Sequence, residues 1–194
     1  MPFDREDPVV VAAANRAWQD EFSRLRDVLQ AALGGVPATI EHVGSTAVPG
    51  LDAKPILDVA ILAHDKEAAD AARSRLREIG YESEGDRGIP GRESFRRTSS
   101  EVPANAAGPW MDHHLYLALQ DSDYADVQLR FRNYLISRPE VAGRYAALKH
   151  ALASAFGEDR DEYTERKTTF VHAVLAAERA EGSGSALVLD SRAE

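Results

Sequence analysis

The stretch from Ile40 to Leu62, IEHVGSTAVPGLDAKPILDVAIL, constrains this chain more than any other part of it. An alternating apolar run, Ala38 to Val43, ends in Gly44-Ser45-Thr46. A loop carrying Pro49 and Gly50 follows, and a lone carboxylate, Asp58, then sits inside a second apolar run from Ile56 to Leu62. That second run is apolar at nearly every position, as expected of a central strand covered on both faces. Glycine and two hydroxyls at a strand end suit an anion-binding turn, where the backbone approaches a phosphate and N–H and O–H groups point at its oxygens. An acid one strand later would hold the metal that accompanies a polyphosphate.

The flanking sequence supplies the rest of an α+β domain. Trp18, Phe22, Leu25, Leu29 and Leu33 form one apolar stripe on a long first helix, which Gly34-Gly35 ends. Lys66 to Ile79 is an amphipathic helix closed by Gly80, and a short strand is expected around Tyr81. Gly85 to Gly91 is a loop, Glu93 to Arg97 a strand, and His113 to Leu119 another. The charged run Gly91-Arg92-Glu93-Ser94-Phe95-Arg96-Arg97 reads either as a solvated edge strand or as a basic patch facing an anionic ligand. Thr98 to Pro109 is small, polar and proline-bearing, so a mobile surface loop is expected there.

From Asp123 the period becomes helical. One helix runs to Arg138, capped by Asp121 or Ser122, and Pro139 breaks it. A second spans Val141 to Phe156, and a third runs from Tyr163 to about Glu181. Strands first and helices last predict one domain over 1–181, with a sheet core at about 36–120 and a helical region at about 121–181. The remaining residues, 182–194, show no periodicity and are expected to be a disordered tail.

Composition narrows the partners. A net charge of −9 over 194 residues argues against a general nucleic-acid binder, whose affinity comes from cations meeting phosphates. With no cysteine and no apolar run of membrane-spanning length, a cytoplasmic protein is expected, with no membrane partner.

The turn is neither a P-loop, since the first lysine after Gly44 is Lys54, nor a dinucleotide fingerprint. Twelve residues separate Ser45 from Asp58, and that spacing matches the nucleotidyltransferase arrangement of a Gly-Gly/Ser turn followed by an acidic strand. Residues 41–62 resemble the signature of the GrpB family, and the resemblance extends over about residues 10–178. It includes Trp18 and Phe22, the loop Gly88-Ile89-Pro90-Gly91-Arg92, and the strand His113-His114-Leu115. It also includes Phe131-Arg132-Asn133-Tyr134-Leu135 and a Tyr-x3-Lys-x2-Phe pattern at Tyr163, Lys167 and Phe170. The resemblance implies a nucleotidyltransferase-like fold, a small mixed β-sheet with packed helices and a C-terminal helical region. Because the family also occurs fused behind dephospho-coenzyme A kinase, it further implies such a kinase as a partner in trans.

In active nucleotidyltransferases two acids on one strand, two residues apart, hold a pair of magnesium ions. Here Asp58 is followed at that spacing by Ala60, a departure that favours binding over turnover. The expected site is a phosphate cradle of Gly44, Ser45 and Thr46, with Lys54 and Arg92 neutralising charge. Asp58 holds one Mg2+ and is the residue on which any catalysis depends. Glu41, on the strand entering the turn, is a second candidate metal ligand, and His42 faces the other way. His114 is a candidate ligand contact or, like His113, a hydrogen-bonded structural histidine. Lys54 would meet phosphate or pair with Asp58. Lys167 and Tyr163 would reach over the site or cap the sheet, with core packing favoured for Tyr163. The ligand class that follows is a nucleoside triphosphate or related phosphorylated small molecule, and the alternative to binding alone is an active nucleotidyltransferase with a metal set built from Asp58, Glu41 and His114.

Overall fold

In the computed structural model, which describes residues 8–104 and 109–190, five strands form one mixed sheet in the order β1-β2-β5-β4-β3. They are β1 (Ala38–Val43), β2 (Leu57–Ala63), β3 (Tyr81–Ser83), β4 (Arg92–Arg97) and β5 (His113–Leu119). β2 and β5 run parallel, and the other neighbours pair antiparallel.

Because side chains alternate along a strand, register decides which residues share a face. Leu57, Val59, Ile61 and Ala63 of β2 join Leu115 and Leu117 of β5 in the larger core. Helices α1 (Ala17–Leu33) and α2 (Lys66–Glu78) cover that face. The α1 stripe buries Trp18, Phe22, Leu25, Leu29 and Leu33, each contributing about 1.5–3 kcal/mol over an exposed position. Local chemistry sets the helix ends. Gly34 takes the left-handed conformation after α1, and the Asp65 carboxylate accepts the Ala68 N–H at the start of α2.

The opposite face carries Ala60 and Leu62 of β2 and Ala118 of β5, packed on α3 (Asp123–Ser137), which Ser122 caps. Pro139 is the first residue of α4 (Pro139–Phe156), where its missing N–H costs no helical hydrogen bond. Together with α5 (Arg160–Asp190), α4 builds a second core around Leu135, Tyr145 and Val174, into which Val48 and Leu51 of the β1–β2 connection insert. This helical region hangs over one end of the sheet's second face. No helix among the described residues is long and apolar enough to cross a membrane.

Three expectations change. β4 is an interior strand between β3 and β5, because its charges find partners on both sides: Arg96 with Glu82, Glu93 with Arg73, and Arg97 with Asp112. The Thr98–Pro109 segment is pinned where it is described. Val102 enters the main core, and the Trp110 indole donates to the Pro103 carbonyl at 3.1 Å, while residues 105–108 lie outside the described residues. The expected disordered tail is helical as far as Asp190, and 191–194 lie outside the described residues. No proline interrupts that segment, and each of its two glycines costs a helix only about 1 kcal/mol, so the backbone ladder of α5 continues.

Candidate functional site

The parallel register of β2 and β5 places Asp58 directly beside His114, both on the sheet face that α3 leaves open at this end. His114 Nδ1 lies 3.1 Å from Asp58 Oδ1. Since an ionised carboxylate only accepts, Nδ1 carries the proton and donates it. The other carboxylate oxygen faces the glycine turn. A Cβ built on Gly44 would lie 2.3 Å from Asp58 Oδ2, and Gly44 has φ +71° and ψ −168°, a conformation essentially confined to glycine. Only a residue without a side chain lets the turn and the carboxylate approach this closely.

These groups open onto a cavity of about 390 Å³. Its floor is Asp58, His114 and Tyr116, and Ser45 and Thr46 form one wall. Lys54 and Arg92 line it from the sheet side, and Ile89 of the Gly85–Gly91 loop stands at the rim. Helices α4 and α5 supply the roof through Lys149, Tyr163 and Lys167. Four cationic side chains therefore surround one carboxylate.

The electrostatics follow from that crowding. Partial burial pushes the Asp58 carboxyl up, but the hydrogen bond and charge of His114, with Lys167 behind it, outweigh burial and hold it below the usual carboxylate range. Burial lowers Lys167, and Asp58 opposes the shift. Lys149 is only 2% exposed, and burial, reinforced by the charge of Lys167, brings it down to about 7. Its ammonium donates to the Asp52 carbonyl and lies 4.7 Å from the centre of the Tyr145 ring. The Arg92 guanidinium stacks 4.5 Å from the centre of the Tyr116 ring, and its buried Nε finds no hydrogen-bond partner among the described residues. Burial raises both Tyr116 and Tyr124, so the two phenols facing Arg92 stay neutral.

Of the residues singled out by sequence, Ser45, Lys54, Asp58, Arg92 and His114 converge on this cavity with Gly44 behind the carboxylate. Thr46 lines it, but its hydroxyl is committed inward. It donates to the Ile56 carbonyl at 3.4 Å and lies 3.0 Å from His42 Nε2. Glu41 is drawn away from the metal position: Arg132 of α3 binds its carboxylate at 2.7 Å and also donates to the His42 carbonyl, clamping β1 to α3. His113 is structural. Burial lowers it to about 3, and it lies between the Tyr81 hydroxyl at 2.6 Å and the Met111 carbonyl at 3.0 Å. Tyr163 is buried in a small cluster with Val9 and Leu152, yet it also lines the cavity.

Sequence reasoning missed Lys149. The signal was present, because Lys149 falls on the buried stripe of α4 with Val141, Ala142, Tyr145 and Leu152. A lysine at a core position needs a partner or a function.

The donor set does not fit a resident magnesium pair. Ala60 occupies the place of the second acid, Glu41 is held by Arg132, and one Asp58 oxygen is already hydrogen-bonded to His114. Among the described residues no group of three or more His, Cys, Asp or Glu side chains is placed to share a metal ion.

Comparison with known proteins locates this architecture. The profile of the GrpB protein family matches residues 8–177. A UPF0157 protein of Pseudomonas aeruginosa is 35% identical over 173 residues, covering 88% of this chain and 67% of that one. A UPF0157 protein of Bacillus subtilis is 29% identical over 163 residues, and the match spans 84% of this chain but only 45% of the longer relative. The crystal structure of the conserved protein GrpB from Enterococcus faecalis superposes with a TM-score of 0.68 at 30% identity, covering 87% of this chain and 99% of that one. The GLD-2/RNP-8 complex structure matches at a TM-score of 0.52 and 17% identity, over 82% of this chain and 58% of that one, a likeness of fold alone. A dephospho-CoA kinase of Mycobacterium bovis is 30% identical over 77 residues, which is 38% of this chain and 19% of the kinase.

Proposed function

Since this chain belongs to the GrpB family, whose fold is nucleotidyltransferase-like, we propose that its cavity binds a nucleoside triphosphate or a related phosphorylated small molecule. The observation that carries this reading is the convergence of the Gly44-Ser45 turn with Lys54, Arg92, Lys149 and Lys167 around one carboxylate. On a chain of net charge −9, such a concentration of cations in a concave site selects anions from solution. A volume of about 390 Å³ also suits a small molecule rather than a polymer groove. Ser45 supplies a hydroxyl and the adjoining backbone N–H groups to phosphate oxygens, and Lys54 and Arg92 neutralise them.

The reading stops at binding. Phosphoryl transfer rests on positioning and charge stabilisation by paired ions, and Ala60 removes half of the clamp that holds them. Calorimetric titration with a panel of nucleoside triphosphates tests it. Binding that Arg92→Gln weakens by about tenfold supports the proposal, and a panel that releases no heat refutes it.

A second reading draws on the kinase match over 77 residues. In it the chain is a non-catalytic accessory of coenzyme A synthesis that contacts dephospho-CoA kinase in trans. Affinity capture with the purified kinase tests it, and two proteins that stay separate in sedimentation at micromolar concentration refute it.

A further inference from the structure

We infer that this pocket takes its polyphosphate without a divalent cation, the side-chain cations of Arg92, Lys149 and Lys167 standing where metal ions would otherwise sit. The inference rests on the proposed phosphate reading of the same cavity and concerns how the charge is met.

Magnesium needs oxygen ligands in near-octahedral array at about 2.1 Å, usually one or two carboxylates together with substrate phosphates. The cavity offers one carboxylate, whose side chain is 33% exposed and whose coordination is already partly taken. Oδ1 accepts the His114 Nδ1 proton at 3.1 Å, and Oδ2 packs so closely on the Gly44 backbone that a Cβ there would sit 2.3 Å away. A metal ion on Asp58 would have to compete with the His114 N–H at Oδ1 or enter beside the glycine turn at Oδ2, with no second carboxylate to complete its shell. It would also enter among cations, because Lys167 already faces Asp58 from α5 and compensates its charge.

The cations are, by contrast, prepared for an anion. Lys149 is held at 2% exposure under the α4–α5 roof, with the Asp52 carbonyl as the one acceptor of its ammonium among the described residues. The Arg92 guanidinium carbon lies over the Tyr116 ring, with Nε buried and unpartnered among the described residues. A buried cation without a full set of acceptors is costly unless a ligand supplies them. A polyphosphate chain has an oxygen for each such donor. Metal-bound polyphosphate, with part of its charge already neutralised, gains less from them.

Calorimetric titration of the wild-type chain with inorganic tripolyphosphate, in EDTA and then in excess Mg2+ at matched ionic strength, decides the matter. Binding in EDTA that is as tight as in Mg2+, within about threefold, or tighter supports the inference. In EDTA, Lys167→Met should raise Kd by about tenfold, and Asp58→Asn, which removes the opposing negative charge, should lower it. Binding that EDTA weakens by more than about threefold overturns the inference while leaving the phosphate reading intact. No binding of tripolyphosphate under either condition also overturns the inference, while the nucleoside triphosphate panel decides the phosphate reading separately.

Discussion

Replacing Gly44 with alanine probes the closest approach in the site. The new Cβ would lie 2.3 Å from Asp58 Oδ2 and 2.9 Å from Asp58 Cβ and Cγ, distances that real Cβ atoms do not show. The backbone at φ +71° and ψ −168° adds its own cost, about 1–3 kcal/mol for a residue with a side chain. Overpacking against atoms held by a central strand adds about another 1–3 kcal/mol, because β2 is paired on both sides and cannot retreat. The expected loss is about 4 kcal/mol, or roughly a 10 °C fall in Tm for a chain of this size. Urea denaturation followed by circular dichroism measures it. The two contributions separate in a double-mutant cycle with Asp58→Ala, which deletes two of the three crowded atoms. In that background the cost of alanine at 44 should shrink by about 1 kcal/mol or more. A loss below about 1 kcal/mol for Gly44→Ala alone, or no coupling to Asp58, would refute the claim that turn and carboxylate meet.

Burial lowers His42 to about 4 and His113 to about 3, so between those values and their ordinary 6.5 the unfolded chain binds protons that the folded chain does not. Stability should therefore fall on acidification from pH 7.5 to 5.5, by about 1.4 kcal/mol for each histidine, and a flat urea midpoint over that range would contradict it. Lys149, lowered to about 7, must be protonated to meet an anion. Polyphosphate affinity should then drop on going from pH 7 to 9, by at most about tenfold per pH unit, and binding at pH 7.5 should take up protons. Calorimetric heats that do not change between buffers of different ionisation enthalpy would count against this, as would a pH dependence that survives Lys149→Met. Glu41→Gln weakens the link from β1 to α3 through Arg132, for an expected loss of about 1–2 kcal/mol with polyphosphate Kd unchanged. A Kd moved by more than about threefold would return Glu41 to the binding site.

The fold was legible wherever the pattern was local. The α1 stripe, the alternation of Ala38–Val43 and the apolar run around Asp58 each show their period within a few residues. What depended on distant partners was not. The charges of β4 look like an exposed edge until Arg73, Glu82 and Asp112 are seen to answer them. Glu41 looks like a metal ligand until Arg132, far along the chain, claims it. In the site, the turn and Asp58 were readable because one short loop joins them, whereas the roof of Lys149 and Lys167 depends on how α4 and α5 fold back over the sheet. Lys149 was hidden for a further reason: it sits on an apolar helix face, where periodicity alone assigns packing rather than chemistry.

The claim that matters most is that phosphate sits between the Gly44-Ser45 turn and the cationic roof. A crystal structure of the chain with a non-hydrolysable nucleoside triphosphate tests it most directly. The account predicts phosphate oxygens within hydrogen-bond reach of Ser45, Arg92 and Lys167, over the Asp58–His114 pair. Phosphates seated elsewhere on the molecule, or a cavity closed to them, would contradict it.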